Sequence, residues 1–131
     1  MRDADNRRLG KLGEQFVLDI EKRRLTEAKR DDLARRVEWV SQTCGDGVGF
    51  DLLSFDEKTD AERWVEVKAT GLGKYFPFYV SRNEVRCSEA EPDRYRLYRV
   101  FDFSRAPKVY VLSGALTQSC QLEATQFRAR F

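Results

Sequence analysis

Two stretches decide the fold, Gly49-Phe50-Asp51-Leu52-Leu53-Ser54 and, one turn later, Trp64-Val65-Glu66-Val67-Lys68-Ala69. Both are short and apolar, and Asp56-Glu57-Lys58-Thr59-Asp60 between them is a polar turn. The spacing predicts strands over 50–55 and 63–69, paired as a hairpin. Alternate side chains in a strand share a face, so Glu66 and Lys68 point one way while Val65 and Val67 point the other and can bury. Asp51 opens the first strand directly after Cys44-Gly45-Asp46-Gly47-Val48-Gly49, a glycine-rich turn. Pairing of the two strands would set Asp51 near Glu66 and Lys68.

Outward from this hairpin, Leu9, Leu12, Phe16, Val17 and Ile20 recur at helical spacing and predict a helix over 7–24. Gly10 and Gly13 are poor helix formers and imply close approach to another backbone. Glu14 lies at the border of the apolar stripe, where it can look inward at the edge of a sheet. Residues 25–35 read as a basic helix or extension, and 37–41 as a short strand anchored by Trp39. Downstream, 76–80 reads as a strand or strand entry. Ser81 with Glu84 three residues on has capping-box form, so a helix should run to about Ala90, with Pro92 ending it. Segments 95–103 and 108–112 are β-rich, and 123–130 reads as a short helix. The order predicts an α/β fold, a mixed sheet flanked by helices. Without repeat or linker, residues 1–131 read as a single domain, whole or one module of a longer parent.

There is no His, and Cys44, Cys87 and Cys120 form no CxxC pair. That excludes zinc fingers, His-dependent nucleases, Ser-His-Asp triads and Cys-His catalysis. The thiols read as reduced, the start from Met1 to Asp5 is polar, and no apolar run is of membrane-spanning length. The expectation is an intracellular, cytoplasmic protein. Lys+Arg total 24 against 22 Asp+Glu, a net charge of +2, which is not that of a uniformly basic nucleic-acid binder. Two local basic groups, within 22–36 and 94–108, offer Arg23, Arg24, Arg35, Arg96 and Arg99 as phosphate contacts. A solvated helix face explains the first group equally well, since Glu27, Asp31 and Asp32 interleave with it.

Two carboxylates and a lysine on one surface suit phosphodiester hydrolysis. A hard divalent cation takes oxygen ligands such as Asp51 and Glu66, neutralises phosphate charge and acidifies a water. Lys68, beside carboxylates, stays cationic, which favours positioning and electrostatics over a general-base role. Glu-x-Lys alone is weak evidence, because cross-strand charge pairs are ordinary on solvent faces. An acid placed just after a glycine turn, and Glu14 behind two glycines, add to it. Ser54 and Thr70 read more readily as strand-end hydroxyls than as ligands of water or phosphate. Ser81 and Glu84 read as a helix cap, and Tyr95 and Tyr98 as packing rather than base-stacking aromatics.

At these residues the chain resembles the PD-(D/E)XK nuclease superfamily, in particular its Mrr-like and Holliday-junction-resolvase-like members. Gly13-Glu14, Gly49-Phe50-Asp51 and Val65-Glu66-Val67-Lys68 carry that resemblance. A closer one is to the domain named after the carboxy-terminal region of the plant protein NO VEIN. It is carried by Leu9-Gly10-x-x-Gly13-Glu14, Arg36-Val37-Glu38-Trp39-Val40-Ser41, Val65-Glu66-Val67-Lys68-Ala69-Thr70, Phe78-Tyr79-Val80-Ser81-Arg82-Asn83-Glu84 and Tyr95-Arg96-Leu97-Tyr98-Arg99-Val100-Phe101. The resemblance implies an α/β/α sandwich around a mixed sheet, a restriction-endonuclease-like core. It implies Mg²⁺ or Mn²⁺ ligation by Asp51, Glu66 and the backbone carbonyl of Val67, with Glu14 contributing through water. The expected function is a metal-dependent DNA endonuclease of a bacterial restriction or DNA-processing system. DNA would be its partner, with a second copy or the other domains of a helicase-containing system alongside. The alternatives are a non-cleaving nucleic-acid- or protein-binding module on the same fold, and a structural interaction domain.

Overall fold

The computed structural model describes residues 2–131, so Met1 of the polar start lies outside it. Among these residues, helix α1 (Arg2–Glu27) leads through α2 (Asp31–Ala34), α3 (Val40–Thr43) and a 3-10 turn (Asp46–Val48) to strands β1 (Leu52–Phe55) and β2 (Glu62–Ala69). Helix α4 (Arg82–Ala90), strands β3 (Tyr95–Phe101) and β4 (Lys108–Ser113), and α5 (Leu116–Ser119) follow. The four strands form one mixed sheet in sequence order: β1 and β2 antiparallel, β2 and β3 parallel, β3 and β4 antiparallel. A parallel pair needs a crossover rather than a tight turn, and α4 lies within that crossover.

Apolar side chains bury on both faces of this sheet. On one, Val17, Leu18 and Leu25 of α1 and Leu33 of α2 pack on Leu52, Val65, Val67, Tyr98 and Val100. On the other, Tyr95, Leu97 and Leu116 form a smaller core with Phe50, Trp64 and Val85, and Phe50 stacks on Trp64 at 4.9 Å. The buried stripe of α1 is thus shifted from the expected one: Leu12 is half exposed, while Glu21 is buried. Glu21 is tolerated because its carboxylate accepts hydrogen bonds from Arg24, Ser54 Oγ and Tyr98 Oη.

Three expectations fail for identifiable reasons. No strand forms over 37–41: Glu38 makes one isolated bridge to Leu53, and the chain then turns into α3. A strand would have put Val40 on the same side as exposed Glu38, whereas the turn buries it. Segment 76–80 is irregular. Pro77 within it lacks a ladder donor, and its backbone is held instead by Arg99 at Phe76 O. Segment 123–130 is irregular and exposed. It has no apolar stripe to bury, and so short a helix is marginal without tertiary packing. The capping box does form, with Ser81 Oγ accepting from Glu84 N and Glu84 accepting from Ser81 N.

Candidate active site

The site is built by the β1–β2 hairpin. Leu52 pairs with Val65 at the start of β1, and Asp51, expected to open that strand, sits instead in the bend just before it. The Asp51 N–H donates to Val65 O at 2.8 Å, and the Val67 N–H donates to Asp51 Oδ2 at 2.8 Å. The acid is thereby fixed to the peptide between Glu66 and Lys68. Gly49 makes this approach possible. Its φ of 104° is left-handed, and a Cβ there would stand 2.9 Å from Cys87 Cβ on α4.

Glu66 is buried, and Lys68 Nζ lies 3.3 Å from its Oε2 and 2.9 Å from Glu84 Oε1. Burial, then the Glu14 carboxylate, pushes Asp51 up to about 7. Burial, then Asp51, pushes Glu66 well above the ordinary carboxylate range. Burial works against the charge of Lys68, but Glu66 and Glu84 outweigh it and hold the amine above its usual value. Glu14 comes from α1 and accepts from Trp39 Nε1 at 2.8 Å and from Ser41 Oγ. Gly13, one residue earlier, brings α1 against β2: a Cβ there would lie 2.6 Å from Ala69 Cβ.

Glu14, Asp51, Glu66 and Lys68 line one cleft of about 410 Å³, together with Gly10, Thr70 and Phe76–Tyr79. Larger grooves of about 1150 and 600 Å³ run between Tyr79–Arg82 and the tail near Glu123–Thr125. They contain one acid, Glu123, and no buried titratable group, so the smaller cleft is the candidate site. Glu66 is buried and Asp51 half-buried, and both are disfavoured as anions there; a bound cation would relieve that. Their oxygens suit a hard one. Among the described residues no three His, Cys, Asp or Glu side chains already converge as ligands, so water would have to complete the shell of any ion held there.

The proposed phosphate contacts do not gather at this cleft. Arg23 and Arg35 are exposed. Arg23 is nine residues beyond Glu14, about 14 Å along the helix axis. Arg24 is occupied by Glu21, Glu57 and Phe55 O. Arg96 donates to the carbonyls of Asp93 and Tyr95. Arg99 lines the cleft but is buried, donating to Lys68 O at 3.0 Å and Phe76 O at 2.8 Å. Ser54 and Tyr98 belong to the Glu21 network, and Tyr95 Oη donates to Gly49 O at 3.3 Å. Sequence reasoning missed two contacts: the pairing of the helix-capping Glu84 with Lys68, and the anchoring of Glu14 by Trp39 and Ser41. The capping box is a local signal that singles out Glu84, but its second partner is not encoded nearby.

Fold and site together define a mixed α/β domain with an acidic, oxygen-donor cleft at the mouth of a β-hairpin. A family model described as Protein NO VEIN, C-terminal matches residues 13–112, most of the chain, and the chain belongs to that family. No curated protein and no solved structure matches it at a significant level. Among the described residues no helix is long and apolar enough to cross a membrane.

Proposed function

We propose that the domain is a metal-dependent DNA endonuclease of the PD-(D/E)XK type, with a restriction-endonuclease-like α/β/α core. The observation that carries this reading is the gathering of Asp51, Glu66 and Lys68 in one cleft, with Asp51 bound to the backbone N–H of Val67, the residue between the other two. Apolar packing on both faces of a mixed sheet is in keeping with that core.

Asp51 and Glu66 would hold Mg²⁺ or Mn²⁺, with the Val67 carbonyl and, through water, Glu14 as further donors. Bound there, the cation would supply charge neutralisation at the scissile phosphate and a more acidic water. Lys68 serves as a fixed positive charge beside the phosphate and orients the attacking water. Its two carboxylate neighbours keep it protonated and so unsuited to take a proton. Val67 N–H holds Asp51 in register, and Trp39 and Ser41 hold Glu14. The wider setting proposed is a bacterial, cytoplasmic restriction or DNA-processing system, the domain acting as a homodimer or beside other domains.

The orientation of Glu14 toward Trp39 and Ser41 favours a second reading, a binding module that cleaves nothing. Nicking of supercoiled plasmid with Mg²⁺ or Mn²⁺ separates the two. Nicking by the wild type, lost in both Asp51→Ala and Lys68→Ala, supports the nuclease. Metal-dependent DNA binding with no nicking supports the binding module, and nicking that survives both substitutions refutes the site.

A further inference from the structure

Residues 71–81 are irregular chain, four of them, Phe76 to Tyr79, line the candidate active site, and the stretch exposes three large aromatic rings. Tyr75 is 87%, Phe76 49% and Tyr79 79% exposed. Rings left in water beside a catalytic cleft need a physical reason, because burial is their normal use. Phe76 and Tyr79 line the same cleft as Asp51, Glu66 and Lys68. The irregular stretch itself carries Lys74 and no acid, and Arg82 follows it as the first residue of α4.

It is not loosely tethered. Arg99, 1% exposed, donates from Nη1 to Lys68 O and from Nη2 to Phe76 O, and its guanidinium lies 4.9 Å from the centre of the Phe78 ring. It makes no ion pair among the described residues, and its Nε has no hydrogen-bond partner. A buried cation without a carboxylate partner adds positive charge to this end of the cleft, beside the backbone of Lys68. The strap is therefore pinned at Phe76 and Phe78 to the strand that carries Lys68, which keeps the backbone on either side of Tyr79 beside the acids.

We propose that Phe76 and Tyr79 form a stacking platform for unpaired bases, so that the preferred substrate is single-stranded or locally unpaired DNA rather than continuous duplex. This rests on the nuclease reading of the same cleft and names its substrate class. Every base has a π face, so rings flanked by cations bind an unpaired strand without reading its sequence. Within a duplex the bases are stacked on each other, and those faces are covered. Lys74 and Arg82 supply charge for the backbone of the same strand, a complementarity that an apolar peptide would not use.

The test measures binding and cleavage separately. Binding of a fluorescently labelled single strand and of its duplex is followed by anisotropy with Ca²⁺ in place of Mg²⁺, and 2-aminopurine placed in the single strand reports stacking. The expected result is tighter binding of the single strand with quenched 2-aminopurine. Tyr79→Ala should reduce the single-strand-to-duplex affinity ratio about tenfold, and Tyr79→Trp should restore it. Tyr79 is so exposed that its replacement does not threaten folding, and Phe76→Ala provides a second reading. Equal or tighter binding of duplex, or a ratio unchanged in Tyr79→Ala, overturns the proposal. Cleavage with Mg²⁺ is then scored on the same oligonucleotides. Cleavage without ring dependence sinks the platform alone, whereas ring-dependent stacking without cleavage sinks the nuclease reading and leaves the platform standing.

Discussion

The carboxylate of Asp51 is held by the backbone of the strand beside it, its Oδ2 accepting from Val67 N–H at 2.8 Å. That N–H belongs to Val67, the residue that separates Glu66 from Lys68, so one hydrogen bond couples the positions of all three. Asp51→Asn keeps an oxygen for Val67 N–H and removes a half-buried charge. In EDTA this variant should be more stable than the wild type by about 1 kcal/mol, or roughly 4 °C in Tm. The Tm gain on adding Mg²⁺ or Mn²⁺ should be present in the wild type and absent in Asp51→Asn. Calorimetry with and without metal checks both, and a metal response that survives the substitution removes Asp51 from the ligand set.

Stability of the metal-free protein should fall between mildly acid and mildly alkaline pH. An unfolded Asp titrates near about 4, and folded Asp51 near about 7. Between those values the folded state holds more protons than the unfolded state, so stability declines as pH rises across that window. Glu66 shifts in the same direction. Glu21 is held below its ordinary value; burial opposes this, but Arg24, Tyr98 and Ser54 outweigh it. Its contribution is lost instead as pH falls below about 4. Urea midpoints in EDTA should therefore be lower near about pH 8 than near about pH 5, with a flatter profile in Asp51→Asn. Metal affinity should show the opposite trend, rising through the same window as protons leave the carboxylates.

Two glycines of α1 should respond oppositely to the same substitution. Gly13→Ala places a methyl 2.6 Å from Ala69 Cβ, and helix and strand must separate to admit it. A loss of about 1–3 kcal/mol is expected, partly recovered in Gly13→Ala/Ala69→Gly. Gly10 has nothing within 4 Å of its would-be Cβ, so Gly10→Ala should stabilise the helix by about 0.5–1 kcal/mol. Denaturant unfolding of the three variants decides the matter. Since Gly10 lines the cleft, Gly10→Ala also tests whether ligand needs that space.

The buried Glu21 network should behave as a unit. Glu21→Ala leaves the Tyr98 and Ser54 hydroxyls without their acceptor and Arg24 without its nearest carboxylate. A cost of about 3–5 kcal/mol is expected. Tyr98→Phe removes one donor to Glu21 and should cost about 1–2 kcal/mol. Urea denaturation reads both, and a small loss in Glu21→Ala would mean the network does not hold α1 to the sheet.

What the sequence determined by itself was local. The two-residue period of a strand set Glu66 and Lys68 on one face, and the polar turn at 56–60 set the hairpin that brings Asp51 to them. The capping box, four residues long, marked the start of α4. The need for close approach was legible at Gly13, but not that Gly10 would face open space. Tertiary structure alone decided matters that depend on residues distant in the chain. Glu14 is oriented by Trp39 and Ser41, Arg24 is spent on Glu57 and Phe55 O, and Arg99 is buried under Phe78 instead of facing solvent. Strands expected at 37–41 and 76–80 gave way because an apolar run shows that side chains will bury, not which backbone will pair with them. Strand pairing and the orientation of a long charged side chain are set by whatever lies opposite in the folded chain. Periodicity along the sequence does not carry that information.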